Sequence, residues 1–282
     1  MGKTIARLLI TSVVLFVVGI AFCAASVAGG VDYREANIGG NKVKLEKVEK
    51  TFEGQIKNLD ISVCSGNFEV KKGNKFELVG TDVPENALEC EVKDGTLRIK
   101  DKSMKKSGLH IDLFGIEWTG WSPDKKITLY IPDNHNFESV IIEMAAGKTT
   151  LEGITTENAN LSMAAGKFKA NNLITTKKTW LCMDAGKMEL DNVSLQNTSI
   201  KVSAGQGEVD GALYGENEVD VSAGSVEIQT ELKESEYDFT TDVTAGSIRV
   251  NGHSMKHQEN ATGAKNKLNL TCSAGSIQVE TK

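Results

Sequence analysis

The sequence has little proline, few aromatic residues and no excess of basic residues. It contains 3 Pro and 27 Gly in 282 residues, aromatic residues make up 6%, and the net charge is −6. The shortage of aromatic side chains favours a narrow aliphatic core, and abundant glycine favours frequent tight turns. The acidic balance gives no support for nucleic-acid binding, for which a basic face is expected. An apolar content of 40% argues against disorder.

Clusters of cysteine or histidine that could bind a metal are lacking as well. No CxxC pair occurs, so a zinc site is not predicted. His253 and His257 lie in a polar stretch, where solvated loop side chains are expected. No pair of carboxylates stands out as an acid and a base, and we therefore expect neither a cofactor nor enzymatic activity. The five cysteines are far apart in sequence, and we expect no disulfide among them: Cys23, Cys64, Cys90, Cys182 and Cys272.

One long hydrophobic run stands near the start of the sequence. Residues 8–28 carry no charge over 21 positions, which is long enough for a helix to cross about 30 Å of hydrocarbon. Lys3 and Arg7 precede the run, so the positive-inside rule places the N-terminus in the cytoplasm and the following domain outside the cell. We therefore predict a single-pass anchor in the cell membrane. A cleaved signal peptide ending in the small residues 26–28 is the alternative.

An internal repeat fills most of the remaining sequence. Ala-Gly steps recur at spacings of 19, 20, 19, 19, 22 and 29 residues, and a Ser-Gly step adds one copy upstream. Such a period is typical of solenoids, whose repeats bury their apolar rows by stacking on their neighbours. The glycines that mark the eight copies are called corner glycines below: Gly66, Gly147, Gly166, Gly186, Gly205, Gly224, Gly246 and Gly275.

The repeats share four positions that are almost always apolar. They lie five and three residues before the corner glycine and two and four residues after it, and 29 of these 32 positions are apolar. The exceptions are Thr149, Gly207 and Thr241. Polar residues alternate with them, so each copy is predicted to form two half-buried strands. The Ala-Gly step is predicted to be a tight turn and a close contact between rungs, and steps such as Asp191-Asn192 provide a second turn.

These patterns predict an all-β fold. We expect a single-sheet-stack β-solenoid, similar to a β-helix, of about eight strand–turn–strand repeats after one N-terminal transmembrane helix. Upstream strands are predicted at 76–80, 88–92, 97–99 and 127–131, with a hairpin signal at Asp94-Gly95. The predicted divisions are the membrane anchor or signal peptide at 1–30, a polar stalk at 31–50, an N-terminal β repeat and hairpin region at 51–132, and solenoid repeats at 133–282.

The repeats ending in Ala-Gly-Ser or Ala-Gly-Lys resemble those of the bacterial putative-adhesin family, as do the strand Ile127–Pro132 and the hairpin Asp94–Lys100. This is a domain family of unknown function built from β-strand repeats behind one membrane segment. The resemblance covers roughly residues 50–282. It implies a cell-surface β-solenoid, and it brings no shared catalytic residues.

One column of basic side chains indicates a candidate ligand site. Lys148, Lys167 and Lys187 each follow a corner glycine, and Lys169 points the same way. Rungs lie about 4.8 Å apart, so these ammonium groups would repel one another unless an anion lies beside them. An anionic cell-wall polymer or a lipid headgroup is the candidate ligand. A solvated face neutralised by acids such as Glu189 is the alternative.

The last predicted strand, at 276–280, would leave the end of the stack open. An open edge is a template for a further strand, so either the polar insertion at 251–267 folds over it or an envelope protein pairs there. We expect a non-enzymatic cell-envelope protein, either an adhesin or a scaffold that presents a solenoid binding face. An envelope-stress sensor or regulator acting through a membrane partner is the alternative. A carbohydrate-active solenoid enzyme is the third reading, and the acid pair it requires is not found.

Overall fold

The computed structural model describes residues 44–103, 112–113, 116–117, 125–260 and 262–282. The predicted membrane segment at 8–28 and residues 31–43 of the predicted stalk lie outside this part of the chain. No helix among the described residues has the length and apolar character needed to cross a bilayer. Apart from one 3₁₀ turn, Glu234–Glu236, the regular structure of the described residues is β, as the sequence predicts.

Among the described residues, seventeen strands form one sheet, and two short strands form a second. Nine strands precede the long repeats: β1 (Leu45–Phe52), β2 (Asn58–Val63), β3 (Asn67–Gly73), β4 (Phe76–Pro84), β5 (Leu88–Lys93), β6 (Thr96–Asp101), β7 (Asp112–Leu113), β8 (Ile116–Glu117) and β9 (Lys126–Pro132). Five long strands follow: β10 (Asn136–Glu152), β11 (Thr155–Asn171), β12 (Ile174–Gln196), β13 (Thr198–Tyr214) and β14 (Glu216–Thr230). The last five are β15 (Tyr237–Val243), β16 (Ser247–Val250), β17 (His253–Met255), β18 (Gln258–Asn260) and β19 (Asn266–Thr281).

The long strands stack in parallel and in register. β10 pairs with β11, β11 with β12, β12 with β13 and β13 with β14, and in each pair one corner glycine lies beside the next. The alternation of polar and apolar residues fixes this register, because a slip of one residue would turn every apolar row outward. All 32 positions of the four predicted apolar columns are buried. The core therefore lies between two layers of strand segments, those before the corner glycines and those after them.

The Ala-Gly step differs from the prediction in one respect. The sequence predicts a tight turn between two strands, whereas β10–β14 and β19 each run through the step as one continuous strand. At this step the pairing of β10 with β11 skips one residue, Ala145, and resumes in the same register at Ala146. The step is therefore a bend within a strand. Separate strands before and after the step occur at Gly66, between β2 and β3, and at Gly246, between β15 and β16.

The predicted close contact at the corner glycines is confirmed. A Cβ atom on Gly166 would lie 2.0 Å from the carbonyl oxygen of Gly147, and one on Gly186 would lie 1.9 Å from that of Gly166. The φ angles of Gly166 and Gly186 are +119° and +123°, a region that residues with side chains rarely adopt. Successive rungs thus touch backbone to backbone at the corner, and no side chain fits between them.

A third buried column, which the sequence analysis missed, follows the second turn. Ile154, Leu173 and Val193 are buried there, and backbone hydrogen bonds of 2.8 and 2.9 Å link this segment of one rung to the next. The turn before it is as predicted, with Asn172 and Asn192 at φ angles of +55° and +52°. These rungs therefore have a short third side between the second turn and the following strand.

The C-terminal part of the stack corrects the prediction of an open end. β19 pairs with β14 on one side and with β15 and β16 on the other, so the strand that comes latest in the sequence is an interior rung. The polar insertion at 251–267 supplies β17 and β18, which pair antiparallel with β16 and β15. The prediction that 276–280 forms an open edge is therefore wrong. The insertion pairs instead with the outer edge of the preceding copy.

At the other end, β6 and β9 form a further rung beside β2 and β3. β4 pairs antiparallel with both β9 and β1, and β5 pairs antiparallel with β6. The predicted strands of this region are confirmed, as is the hairpin at Asp94-Gly95. β1 begins at Leu45, so residues 45–50 of the predicted stalk belong to the sheet.

Candidate functional site

Each rung turns two rows of side chains away from the core. The pre-glycine face consists of the outward residues six, four and two positions before each corner glycine, which in β12 are Trp180, Cys182 and Asp184. The post-glycine face consists of the outward residues one, three and five positions after it, which in β12 are Lys187, Glu189 and Asp191. Because neighbouring rungs are in register, equivalent positions form straight columns with a spacing of about 4.8 Å.

The three lysines of the predicted ladder lie in register on the post-glycine face. Lys148 pairs with Lys167, and Lys167 pairs with Lys187. The protein supplies its own counter-charge, because the Glu189 carboxylate lies 2.8 Å from Lys167 Nζ and 2.9 Å from Lys187 Nζ. Glu189 therefore bridges two of the three ammonium groups that were predicted to repel one another.

Two further acids extend this network. Lys187 Nζ also lies 2.8 Å from the Glu208 carboxylate, and Lys169 Nζ lies 2.7 Å from that of Asp191. Hydrogen bonds to these acids raise the pKa of Lys187 and of Lys169. Lys148 is exposed, and no carboxylate of the described residues lies within 4.0 Å of its Nζ. The geometry favours a face neutralised by its own acids over an open anion site.

Glu189 is expected to contribute an acid-sensitive part of the stability. Hydrogen bonds from Lys167 and Lys187 lower its pKa from 4.5 to about 2. Because the pKa falls on folding, the contribution is present at neutral pH and is lost as the pH drops from 4.5 to about 2. Glu189→Gln is expected to cost about 1 kcal/mol at neutral pH and to flatten this acid dependence. Urea unfolding at neutral pH and below pH 3 measures both effects.

Glu227→Gln provides the matched control. Glu227 lies in the same column as Glu189, two rungs further on. Within the described part of the chain, no lysine is within ion-pair distance of Glu227. An equal change in pH dependence for the two variants would contradict the role assigned to Glu189.

The pre-glycine face carries a shallow groove of about 300 Å³ across β2, β10, β11 and β12. Its floor is low because small side chains line it at the position two residues before the glycine, namely Cys64, Ala145 and Ala164. Asp184 occupies that position in β12. Trp180 lies on the same face, two residues along β12 from Cys182, another lining residue. The other outward lining residues are Ser62, Glu143 and Ser162.

The acids of the groove lack basic partners, in contrast to those of the lysine network. No Lys or Arg nitrogen of the described residues lies within 4.0 Å of the Glu143 or Asp184 carboxylate. Asp184 accepts a hydrogen bond of 3.3 Å from Ser203 Oγ. Burial raises the pKa of the Cys182 thiol, so this side chain is neutral at neutral pH. The four cysteines of the described part are unbridged. The groove is therefore small and mostly apolar in surface, with Glu143 and Asp184 as its charged lining residues.

The histidines of the described part stay apart from this groove. His135 Nε2 lies 2.7 Å from the carbonyl oxygen of Ile56, which is a structural contact. His253 belongs to β17 and His257 follows it, so no helix brings the two together. His257 Nδ1 lies 2.8 Å from the exposed Asp242 carboxylate. No group of three or more His, Cys, Asp or Glu side chains among the described residues is placed to hold a metal ion.

Lys125 and Asp101 form an ion pair that the sequence analysis missed. Their side chains are only 1% and 0% exposed. Lys125 takes the corner position opposite Gly66, whose Cβ, if present, would lie 2.4 Å from the Lys125 carbonyl oxygen. Asp101 also accepts hydrogen bonds from the amides of Cys64 and Ser103, at 3.1 and 2.9 Å. The pair joins the end of β6 to the residue before β9. In the sequence, the repeat is interrupted between these two charged residues, and that interruption is the signal from which the ion pair could have been predicted.

A stack of parallel rungs, with one ion-paired face and one grooved face, defines a solenoid-like β-repeat protein. Residues 53–281 match the Toastrack DUF4097 family, and the chain belongs to that family. This confirms the family resemblance seen in the repeats. No curated protein sequence matches the chain.

Three solved structures illustrate what the chain resembles. A "putative cell adhesion protein" from Clostridium sporogenes is 14% identical, covers 85% of this chain and 100% of its own, and has a TM-score of 0.43. A "putative adhesin" from Bacteroides fragilis is also 14% identical, covers 84% and 97%, and has a TM-score of 0.37. A "putative lipid binding protein" from Parabacteroides distasonis is 18% identical, covers 86% and 97%, and has a TM-score of 0.36.

Proposed function

We propose that the protein is a non-enzymatic cell-envelope protein that binds a surface ligand through the groove of its pre-glycine face. The observation that supports this proposal most directly is the difference between the two faces. On the post-glycine face, Lys167 and Lys187 are paired with acids of the same face. On the pre-glycine face, Glu143 and Asp184 have no Lys or Arg partner among the described residues, and a partly exposed Trp180 lies on the same face. A mostly apolar pocket with a few polar groups is typical of binding sites.

The stack is a suitable scaffold for such a surface. The groove lies on β2, β10, β11 and β12, which pair in register up to the position three residues before each corner glycine. Side chains held on paired strands keep their spacing, so little conformational entropy is lost when a ligand binds. The role of an adhesin or a scaffold, which presents a fixed surface, fits this rigidity.

Attachment to the envelope is the second part of the proposal. The uncharged run at 8–28 and the basic residues before it support a single-pass anchor with the β domain outside the cell. Cells producing the full chain are therefore expected to show lysine labelling of the β domain by a membrane-impermeant amine reagent while intact. Labelling seen only after lysis would contradict the proposed location.

Filling the groove tests the binding surface itself. Ala164 points into the groove, so Ala164→Arg should block it. Cells displaying this variant are expected to bind at least fivefold less to wells coated with purified cell-wall sacculi or mucin than cells displaying the original chain. Ser222→Arg is the matched control, because Ser222 holds the equivalent position in β14, outside the groove. Equal binding by the Ala164→Arg and Ser222→Arg variants would overturn the assignment and favour a regulator acting through a membrane partner.

A further inference from the structure

Trp180 is a feature of the pre-glycine face that the architecture does not require. It is partly exposed and lies six residues before Gly186. The neighbouring rungs hold Asn160 and Ser199 in the same column, so the repeat folds well with small polar residues there. An aromatic side chain facing solvent is a common anchor for ligands, because it offers a large rigid surface at low entropic cost. The indole is thus better explained by a ligand than by packing.

We propose that the groove beside Trp180 binds an uncharged or amine-bearing oligosaccharide, with one sugar ring stacked on the indole. This inference rests on the proposed function and names its class of ligand. The C–H-rich face of a pyranose ring is apolar and packs on an aromatic ring, while the hydroxyl groups at its edge need hydrogen-bond partners. A site for such a ligand therefore combines one aromatic platform with several polar side chains around it.

The polar side chains that this ligand needs stand next to the indole. Asn160 pairs directly with Trp180 across β11 and β12, and Ser162 pairs with Cys182 one position further along the face. Glu143 and Asp184 line the groove as well. Carboxylates without basic partners accept hydrogen bonds from hydroxyl groups strongly. The groove thus offers a hydroxyl and two carboxylates to a bound sugar, and the column of Trp180 beside it adds an amide.

The charged lining of the groove favours an uncharged or amine-bearing ligand over an anionic one. Glu143 and Asp184 are the charged residues that line it, and both repel phosphate-bearing polymers and phospholipid headgroups. Lys100 and Lys201 flank the groove on the same face, each paired across the sheet with a lining residue, so a bound anion would meet charges of both signs. An uncharged chain meets no repulsion from either.

The backbone decides against an extended peptide. Peptides commonly join a sheet by pairing with a free strand edge. β12 is paired with β11 on one side and β13 on the other, so the strand that carries Trp180 offers no free edge. The groove spans β2 to β12, which is three inter-strand spacings or about 14 Å. That length suits several linked sugar rings better than a single one.

The test uses soluble uncharged hexasaccharides as probes: cellohexaose, chitohexaose and mannohexaose. The full chain, kept in detergent micelles, is titrated with each sugar by isothermal calorimetry. We expect saturable binding of at least one probe and a loss of affinity of at least tenfold in Trp180→Ala. Trp180→Tyr, which keeps an aromatic ring, should recover part of the affinity.

Tyr214→Ala is the matched control. Tyr214 is 39% exposed, lies at the end of β13 and does not line the groove, so its loss should leave sugar affinity unchanged. Binding of none of the three sugars, or equal affinities for Trp180→Ala and the original chain, would overturn this inference. Those results would leave the proposed function standing if Ala164→Arg still abolished binding to sacculi or mucin. Tighter binding of a basic peptide than of any sugar would also overturn it.

Discussion

Replacing Lys125 with Met is expected to lower the free energy of unfolding by about 3–5 kcal/mol, because it leaves the carboxylate of Asp101 buried without its partner charge. The Asp101 side chain is fully buried and that of Lys125 is 1% exposed, so water cannot replace the lost ammonium group. The hydrogen bonds from the amides of Cys64 and Ser103 remain, but they do not neutralise the charge. Equilibrium unfolding in urea at neutral pH measures the loss.

The double variant Lys125→Met with Asp101→Asn separates charge from packing. Met and Asn match the side chains they replace in size, no charge is left unpaired, and the Asn oxygen still accepts a hydrogen bond from the amide of Cys64 or Ser103. The double variant should therefore regain most of the stability that the single variant loses. A double variant as unstable as Lys125→Met would show that the loss comes from packing at this corner and not from an unpaired carboxylate.

Replacing Gly166 with Ala is expected to cost about 3 kcal/mol. The new methyl group would lie 2.0 Å from the carbonyl oxygen of Gly147, so the rungs would have to separate locally, and overpacking of this kind costs about 1–3 kcal/mol. The φ angle of +119° adds a penalty of about 1–2 kcal/mol for a residue with a side chain. Thermal unfolding followed by circular dichroism measures the sum.

Gly252→Ala isolates the contact from the backbone conformation. Gly252 has a φ of +77°, yet a Cβ atom there would meet nothing within 4 Å. Gly252→Ala should therefore lower the free energy of unfolding only through the unfavourable backbone conformation, by about 1–2 kcal/mol. If Gly252→Ala and Gly166→Ala were equally destabilised, backbone conformation alone would account for both, and the rungs would not need to touch at the corner.

The core could be predicted from the sequence because burial alternates strictly with exposure on both sides of each corner glycine. The rule is strong enough to hold at its polar exceptions. Thr149 and Thr241 are buried in their columns, and the Thr149 hydroxyl donates to the sulfur of Met144 at 2.6 Å. Position in the repeat thus predicts burial better than residue type does.

The third buried side escaped prediction because few copies show it. Ile154, Leu173 and Val193 lie seven residues after their glycines, but Glu231 and His253 stand at the same offset in later copies. A pattern present in only part of the array does not emerge from aligning all eight repeats. The Lys125–Asp101 pair was not predicted for a related reason. It lies at a corner whose rung has no Ala-Gly step, so aligning the repeats does not include it.

For the candidate site, the sequence predicted which side chains share a column, but not which acid pairs with which lysine. The register that aligns Lys148, Lys167 and Lys187 follows from the spacing of the glycines. Which acid reaches which lysine depends on side-chain conformations that spacing does not determine, so Glu189 was named only as an alternative. Trp180 received no role, because its importance emerges only beside the small side chains of the neighbouring rungs.

The position of β19 has a consequence for how the domain assembles. A solenoid whose rungs follow sequence order can add each rung as soon as it is synthesised. Here β14 waits for β19, since the chain places β15 and β16 beyond it. The apolar columns give no reason to prefer one neighbour, because β16 and β19 carry the same Ile and Val pair at Ile248 and Val250 and at Ile277 and Val279. Correct assembly thus depends on β15 and β16 not docking on β14 while residues 266–281 are still being made. If β15 and β16 paired with β14 first, β19 would lose its position between them, so this junction is a point at which the chain can misfold during synthesis.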